Sequence, residues 1–487
     1  MNRLIALASA TLLAVACAPA APPAASTTPA PATPGPEYPR TPPELGPTPS
    51  LALPAPVRHT LQNGLTVIYV PRRDLPIVNA TLVTRGGLSD DPASLPGLAA
   101  FTAEMLDEGA AGSDALQLAE AIEQLGASLS ASAAWDAAQV NLQVLRGRLP
   151  EALTLMADVV TRPDFPEREV SRVRDERLTD LARARDETRI IAGNAFASLV
   201  YGSDHPYGRV STTETTRRID RRALADFHRQ FYRPGNSTLI LVGDVDAALH
   251  PEVERIFGAW RGAAVAAAAA PVMPENGPTR IYLIDKPGAA QSEIRIGHPA
   301  VARDNPDFYS LAVLNTLLGG SFTSRLMQNL RETHGYTYGA GSSFSMRRGA
   351  GPFTASSAVV TVKTDSAVIE FFRELNRIRD EAVPADELER AKRYIALGLP
   401  QSFETTGQIA ARTAELVIYG LPLDYYDSYV QRVMAVTAED VQRVAREYVR
   451  PDRSAVVVVG DRQTIEAGLR NLPVGAVEIR ALDEFVR

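Results

Sequence analysis

Six histidines, His59, His205, His228, His250, His298 and His334, are the imidazoles from which this chain could build a zinc site. Two imidazoles four residues apart share one helical face and can grip one metal ion. No two of these stand three or four apart. His205 belongs to DHPYG, a turn-like run where a loop histidine is the simpler expectation than a ligand. The single cysteine, Cys17, rules out an intramolecular disulfide framework. Carboxylates are plentiful, 57 against 50 Lys and Arg, but carboxylates without a histidine make a poor zinc site. The resulting net charge of −7 leaves no basic face, so nucleic acid is not an expected partner.

The elements that must position any chemistry begin after residue 56. MNRLIALASATLLAVAC has the shape of a signal peptide (1–17): Arg3, an apolar run from Leu4 to Ala16 too short to span a bilayer, then Cys17. Ala14-Val15-Ala16-Cys17 resembles a bacterial lipobox, which would lipidate Cys17; plain cleavage after an A-x-A site is the alternative, because the usual Leu sits one place early, at Leu13. Ala18 rather than Asp follows the cysteine, so the resemblance implies a periplasmic protein anchored in the outer membrane. Residues 18–56 carry 14 of the 36 prolines and read as a tether. At roughly 3 Å per residue in extended polyproline form, its reach is on the order of 100 Å.

The rest of the chain repeats itself once. Ile219 to Asp246 and Val436 to Gln463 both run helix, Arg-Pro turn, apolar strand, Gly-Asp, new helix, with Gly243 and Gly460 217 residues apart. One internal match at that distance means two homologous domains, 57–262 and 279–487, joined by an Ala/Pro-rich linker at 263–278. In the first, Asn63-Gly64 predicts a hairpin, followed by a strand from Ile77 to Thr84. Helices are expected from Pro96 to Asp107 and Asp114 to Leu125, then strands at Ser128–Ala133 and Gln139–Leu145. Further helices are expected at Pro150–Val160 and, as one long element, from Glu167 to about Ser198. The second half predicts the same order: strands at Arg280–Ile284 and Ser292–His298, helices at Asn305–Leu318 and Ser324–Glu332, strands near Ala340–Phe344 and Phe353–Val362, then helices to Tyr448. The fold class is α+β, a helical layer on a mostly antiparallel sheet in each domain.

GLAAFTAEMLDEGA (97–110) resembles the signature helix of the M16, insulinase/pitrilysin-like, zinc peptidases, G-x-A-H-F-x-E-H-M-L-x-x-G-T. Gly97, Ala99, Phe101, Met105, Leu106 and Gly109 match it. The chemical positions of its H-x-x-E-H do not: Ala100 stands at the first His, Ala103 at the Glu general base, Glu104 at the second His. The family's third ligand, a Glu about 76 residues on, falls on Asp180 within EREVSRVRDERLTDLARARDE. The resemblance implies a peptidase fold of two such domains facing across a cavity, with a degraded zinc motif and no metal held by this chain.

LLGGSFTSRLMQNLRETHGYTYGAGSSF (317–344) resembles the family's C-terminal-domain segment, with its Arg-x6-Tyr pair at Arg331 and Tyr338. In the family these residues hydrogen-bond the scissile peptide, and a fixed guanidinium and a phenol can steady developing negative charge in a desolvated cavity. The plainer role would be a helix C-cap for Arg331 and core packing for Tyr338; Arg325 and Tyr336 are expected to serve structure. The combination resembles the noncatalytic chain of the two-subunit members. It implies a heterodimer with a zinc-bearing M16 subunit that has an intact H-x-x-E-H, and a peptide held as an added strand, with Ser128 and Ala131 of Ser128–Ala133 and the run after Tyr338 as the strands to suspect. A scaffold without hydrolytic role, and an active enzyme with Glu104 and Asp180 as unorthodox ligands, are the alternatives.

Overall fold

The computed structural model describes residues 55–266 and 269–487, so Cys17 and the tether up to residue 54 lie outside them. Gly64, at φ +91°, and Asn63, whose Oδ1 accepts from the Leu65 N–H, turn the chain between β1 (Val57–Thr60) and β2 (Thr66–Pro71). There follow β3 (Ile77–Arg85), α1 (Leu98–Glu104), a short ribbon of β4 (Gly109–Ala110) and β5 (Ser113–Asp114), and α2 (Ala115–Gln124). Next come β6 (Ser128–Ala133), β7 (Ala137–Leu145), α3 (Leu149–Thr161), α4 (Glu167–Ala184) and α5 (Thr188–Tyr201). The first half closes with α6 (Thr213–Arg218), α7 (Arg221–Phe231), β8 (Ser237–Gly243) and α8 (His250–Phe257).

The second half runs β9 (Arg280–Asp285), β10 (Gln291–Val301), α9 (Phe308–Asn315), α10 (Arg325–Met327), β11 (Ala340–Phe344) and β12 (Gly351–Val360). Helices α11 (Thr364–Asp380), α12 (Ala385–Gly398), α13 (Thr406–Tyr419), α14 (Tyr429–Met434) and α15 (Ala438–Tyr448) then lead to β13 (Ala455–Gly460), α16 (Arg462–Arg470) and β14 (Ala476–Arg480).

Each half builds one six-stranded sheet, in the orders β1-β2-β8-β3-β7-β6 and β11-β12-β10-β13-β9-β14. Without the edge strands β1 and β14 the two are the same sheet, because β2-β8-β3-β7-β6 corresponds in order to β9-β13-β10-β12-β11. The equivalent pairs β2·β8 and β9·β13 are parallel, and the other pairings of this shared set are antiparallel. The fold is therefore α+β, and the sequence repeat is a structural one.

One face of each sheet is covered by its own half's helices. The other face is covered by the opposite half. Helix α5 lays Ile191, Ala195, Phe196 and Val200 against Ile284, Val457 and Val459 of the second sheet. In return α13 and its approach lay Phe403, Ile409, Ala410 and Ala414 against Ile68, Val70, Ile240 and Val242 of the first. A two-faced apolar sheet must be covered on both sides, and each half completes the other's core.

This exchange corrects the single helix expected from Glu167 to about Ser198. The helix stops at Ala184 and restarts at Thr188. At the break, Arg185 donates to the Val486 carbonyl (2.6 Å) and to Asp483, while Lys286 Nζ donates to the Arg185 carbonyl (3.0 Å) and the Asp186 carboxylate (2.8 Å). Partners in the second half hold the bend that sends α5 onto their sheet. The expected helices at Asn305–Leu318 and Ser324–Glu332 also differ. Both widen into i→i+5 turns, at Thr316–Gly320 and Gln328–Thr333.

Candidate functional site

A buried carboxylate starts α1. Asp91 accepts hydrogen bonds from the N–H groups of Gly97 (2.7 Å) and Ala99 (2.8 Å), which satisfies donors that a helix N-terminus leaves unpaired. Burial nonetheless pushes its carboxyl up to about 7. Gly97 sits at φ +93°, and a Cβ there would lie 2.4 Å from Ser211 Oγ, so only glycine fits. The helix buries Phe101 and Ala103 completely and keeps Ala100 and Glu104, one turn apart, on its less buried face.

That face borders a cleft of about 680 Å³, lined by Glu104, by Arg177 and Asp180 of α4, and by Leu129, Ser130 and Ala131 of β6. The structure thus brings Glu104, Asp180 and Ala131 to one place. Ser128, at the exposed start of the same strand, does not line it. Strand β6 pairs with β7 on one side only and forms an edge of the first sheet, which leaves backbone groups free for an added strand.

The residue that the spacing did not single out is Arg177. Its Nη1 donates to Glu104 Oε2 at 2.6 Å and its Nη2 to the Gly97 carbonyl at 3.4 Å, with the guanidinium 5.2 Å from the centre of the Phe101 ring. A charge-assisted bond therefore occupies the one carboxylate on the α1 face. Asp180, one turn further along α4, is 74% exposed and faces Arg183 at 3.7 Å. These residues do not fit a zinc ion. Ala100 and Ala103 offer no donor atom, Glu104 is already paired to a cation, and among the described residues no three His, Cys, Asp or Glu side chains form a metal-holding group. The only signal for Arg177 in the sequence was its place three residues before Asp180, on a helix crowded with other arginines.

The histidines take other roles. His205 Nδ1 accepts from the Tyr207 N–H at 3.0 Å and its ring stacks on Tyr201, while burial holds its pKa below the ordinary value. His59 and His250, 191 residues apart in sequence, come together with ring centroids 5.0 Å apart.

Arg331 lies on the widened turn after α10 and Tyr338 on the approach to β11. Arg331 Nε is 3.2 Å from Glu332, and its guanidinium lies 4.7 Å from the ring centre of exposed Phe322. Tyr338 is 88% exposed, so it packs into no core. Their neighbours behave differently. Arg325 is buried and holds Glu387 through two 2.8 Å bonds, and Tyr336 stacks on His334 and packs against the second core. Neither Arg331 nor Tyr338 lines the Glu104 cleft. Of the two strands suspected of holding peptide, β11 is the more crowded, since a Cβ on Gly319 would lie 2.2 Å from the Ser342 nitrogen.

Known proteins match this architecture along its length. The model of Insulinase (Peptidase family M16) matches residues 67–203, and that of the Peptidase M16 inactive domain matches 218–395. An uncharacterized zinc protease of Streptomyces coelicolor is 26% identical over 419 residues, covering 83% of this chain and 90% of that protein. One from Bacillus subtilis is 22% identical over 402 residues, covering 82% and 97%. Among solved structures, the peptidase M16 inactive domain from Pseudomonas fluorescens superposes with a TM-score of 0.78 at 27% identity, covering 83% of this chain and 98% of that one.

Proposed function

The chain belongs to the M16 peptidase family, and we propose that it is the noncatalytic, substrate-holding subunit of a heteromeric zinc peptidase acting on peptides in the bacterial periplasm. The observation that carries this is the division of labour between its halves. The α1 face holds an Arg177–Glu104 pair in place of metal ligands, whereas the second half presents a phenol, Tyr338, to solvent with no packing role, seven residues from Arg331. Ala100 and Ala103 supply neither a metal ligand nor a general base at those positions, so this reading leaves the activation of water to a partner. A half-buried guanidinium and an exposed phenol can still hydrogen-bond a peptide carbonyl and the oxyanion formed from it, at a site whose metal and general base belong to a partner. The cleft beside the open edge of β6 would hold the peptide.

The test is reconstitution. The purified chain is expected to bind no stoichiometric zinc and cleave no peptide, and to restore hydrolysis to a partner with an intact H-x-x-E-H that is inactive alone. One tightly held zinc per chain, lost on Glu104→Gln or Asp180→Asn, would establish the unorthodox-ligand reading instead.

Lipidated Cys17 would tie the protein to the outer membrane through the Pro-rich tether. Cys17→Ser is then expected to abolish acylation and release the protein into the soluble periplasmic fraction. Wild-type protein whose mature chain starts anywhere but Cys17 would overturn the anchor.

A further inference from the structure

The Glu104 cleft does not end at its own wall. Leu181 and Ser211 line it on one side and on the other line a second cavity, of about 510 Å³, where α5 of the first half meets the strands of the second. The two differ in charge. The first is bordered by five acids, Glu104, Asp107, Glu108, Glu176 and Asp180, against the one cation Arg177. The second is bordered by three arginines, Arg209, Arg295 and Arg347, and no carboxylate lines it.

These cations are poorly compensated. Arg347 forms no ion pair among the described residues. It is held between aromatic faces, 4.0 Å from the centre of the Trp135 ring and 4.5 Å from that of Tyr207, and burial lowers its pKa from the ordinary value. The nearby carboxylate, Asp136, is committed elsewhere, accepting from the Arg348 N–H at 2.9 Å and from the Tyr207 hydroxyl at 3.4 Å. Arg209 donates to two backbone carbonyls, of Asp91 and Asp204, and meets no side-chain acid. Arg295 has one acid, Glu293, at 3.6 Å; burial pushes that carboxyl up, and its field is shared with Arg189.

The strands beneath add hydroxyls on the same side. Arg295 stands directly across from Ser356, and Thr354 directly across from Ser343, and all four line the cavity. Fixed guanidinium forks with neutral hydroxyl donors, in a lining without a carboxylate, are the donor set that carboxylate recognition requires. Arg209 and Arg347, partly desolvated and without an acid partner among the described residues, cost stability that an incoming anion recovers.

We propose that this cavity is an oxyanion site that recognises the carboxylate groups of a peptide whose adjoining part lies in the Glu104 cleft. The proposal rests on the peptide-holding reading and deepens it by naming the substrate class, peptides with acidic residues.

The test uses the mature full chain and two labelled peptides of one length, one with consecutive Glu residues and one with Gln in their place, followed by fluorescence anisotropy. The Glu peptide is expected to bind at least about tenfold more tightly, the scale of one charge-assisted hydrogen bond. Arg347→Met and Arg295→Met should each erase most of that preference, weakening the Glu peptide far more than the Gln peptide, while Arg347→Lys, which keeps the charge, should retain part of it. Citrate should compete with the Glu peptide on the wild type and not on Arg347→Met. Equal binding of the two peptides, or a preference that survives both Met variants, overturns the acidic-substrate inference and leaves peptide holding intact. Binding of neither peptide overturns both.

Discussion

Tyr338→Phe, in this chain reconstituted with an H-x-x-E-H partner, is expected to lower turnover about 100-fold, or about 3 kcal/mol, the usual loss for one oxyanion donor. The change removes one hydroxyl and almost no volume. Since Tyr338 is 88% exposed, folding has little stake in that hydroxyl, and a fall in rate reports on chemistry rather than stability. Arg331→Ala should fall by a similar factor. Among the described residues its guanidinium pairs only with Glu332 and lies over the exposed Phe322, so no buried ion-pair network is broken by its removal. Both variants should still assemble, by gel filtration, and leave the partner's zinc content unchanged. If both assemble and run at the wild-type rate, the pair is structural, and the scaffold alternative takes its place.

The second large effect is on stability. Phe196→Ala is expected to destabilise the chain by about 3–5 kcal/mol, the range for emptying a buried aromatic site. Phe196 projects from α5 of the first half into the second sheet's core at 5% exposure, and a Cβ on Gly297 of β10 would lie 2.9 Å from its Cζ. The hole would open at the joint between the halves, where neither can collapse freely onto it. Trp260 packs in the first half's core and Trp135 at the joint, against Arg347, so tryptophan fluorescence follows the first half and its joint while far-ultraviolet circular dichroism follows both halves. The expected denaturation curve is one transition, coincident by the two probes, with a lower midpoint and an unchanged slope. Separate transitions, or a loss below about 1 kcal/mol, would mean that the exchanged helices do not couple the halves.

Local chemistry was legible without the structure. The Asn63-Gly64 hairpin, the strand Ser128–Ala133 with its limits, and the α+β repeat that equates β8 with β13 all follow from turn residues and from alternation of period two, which depend on neighbours in sequence. The donor set was legible too. The side chain of alanine at 100 and 103 carries no lone pair, and no packing can supply one.

Tertiary structure alone decided the rest, because the groups responsible are remote in sequence. The long charged helix breaks at Arg185 for partners at Lys286, Asp483 and Val486, a hundred to three hundred residues away. The apolar faces of α5 and α13 announce burial without saying in which half, since a hydrophobic stripe has no address, and the exchange between sheets appears only once both sheets exist. The charges around the cleft follow the same rule. Glu104 and Arg177 are 73 residues apart, and Arg209, Arg295 and Arg347 come from three separate segments. Net charge and spacing along the chain carry no information about which guanidinium lies 2.6 Å from a carboxylate and which is left facing a cavity with none, because Coulomb energy depends on distance in space.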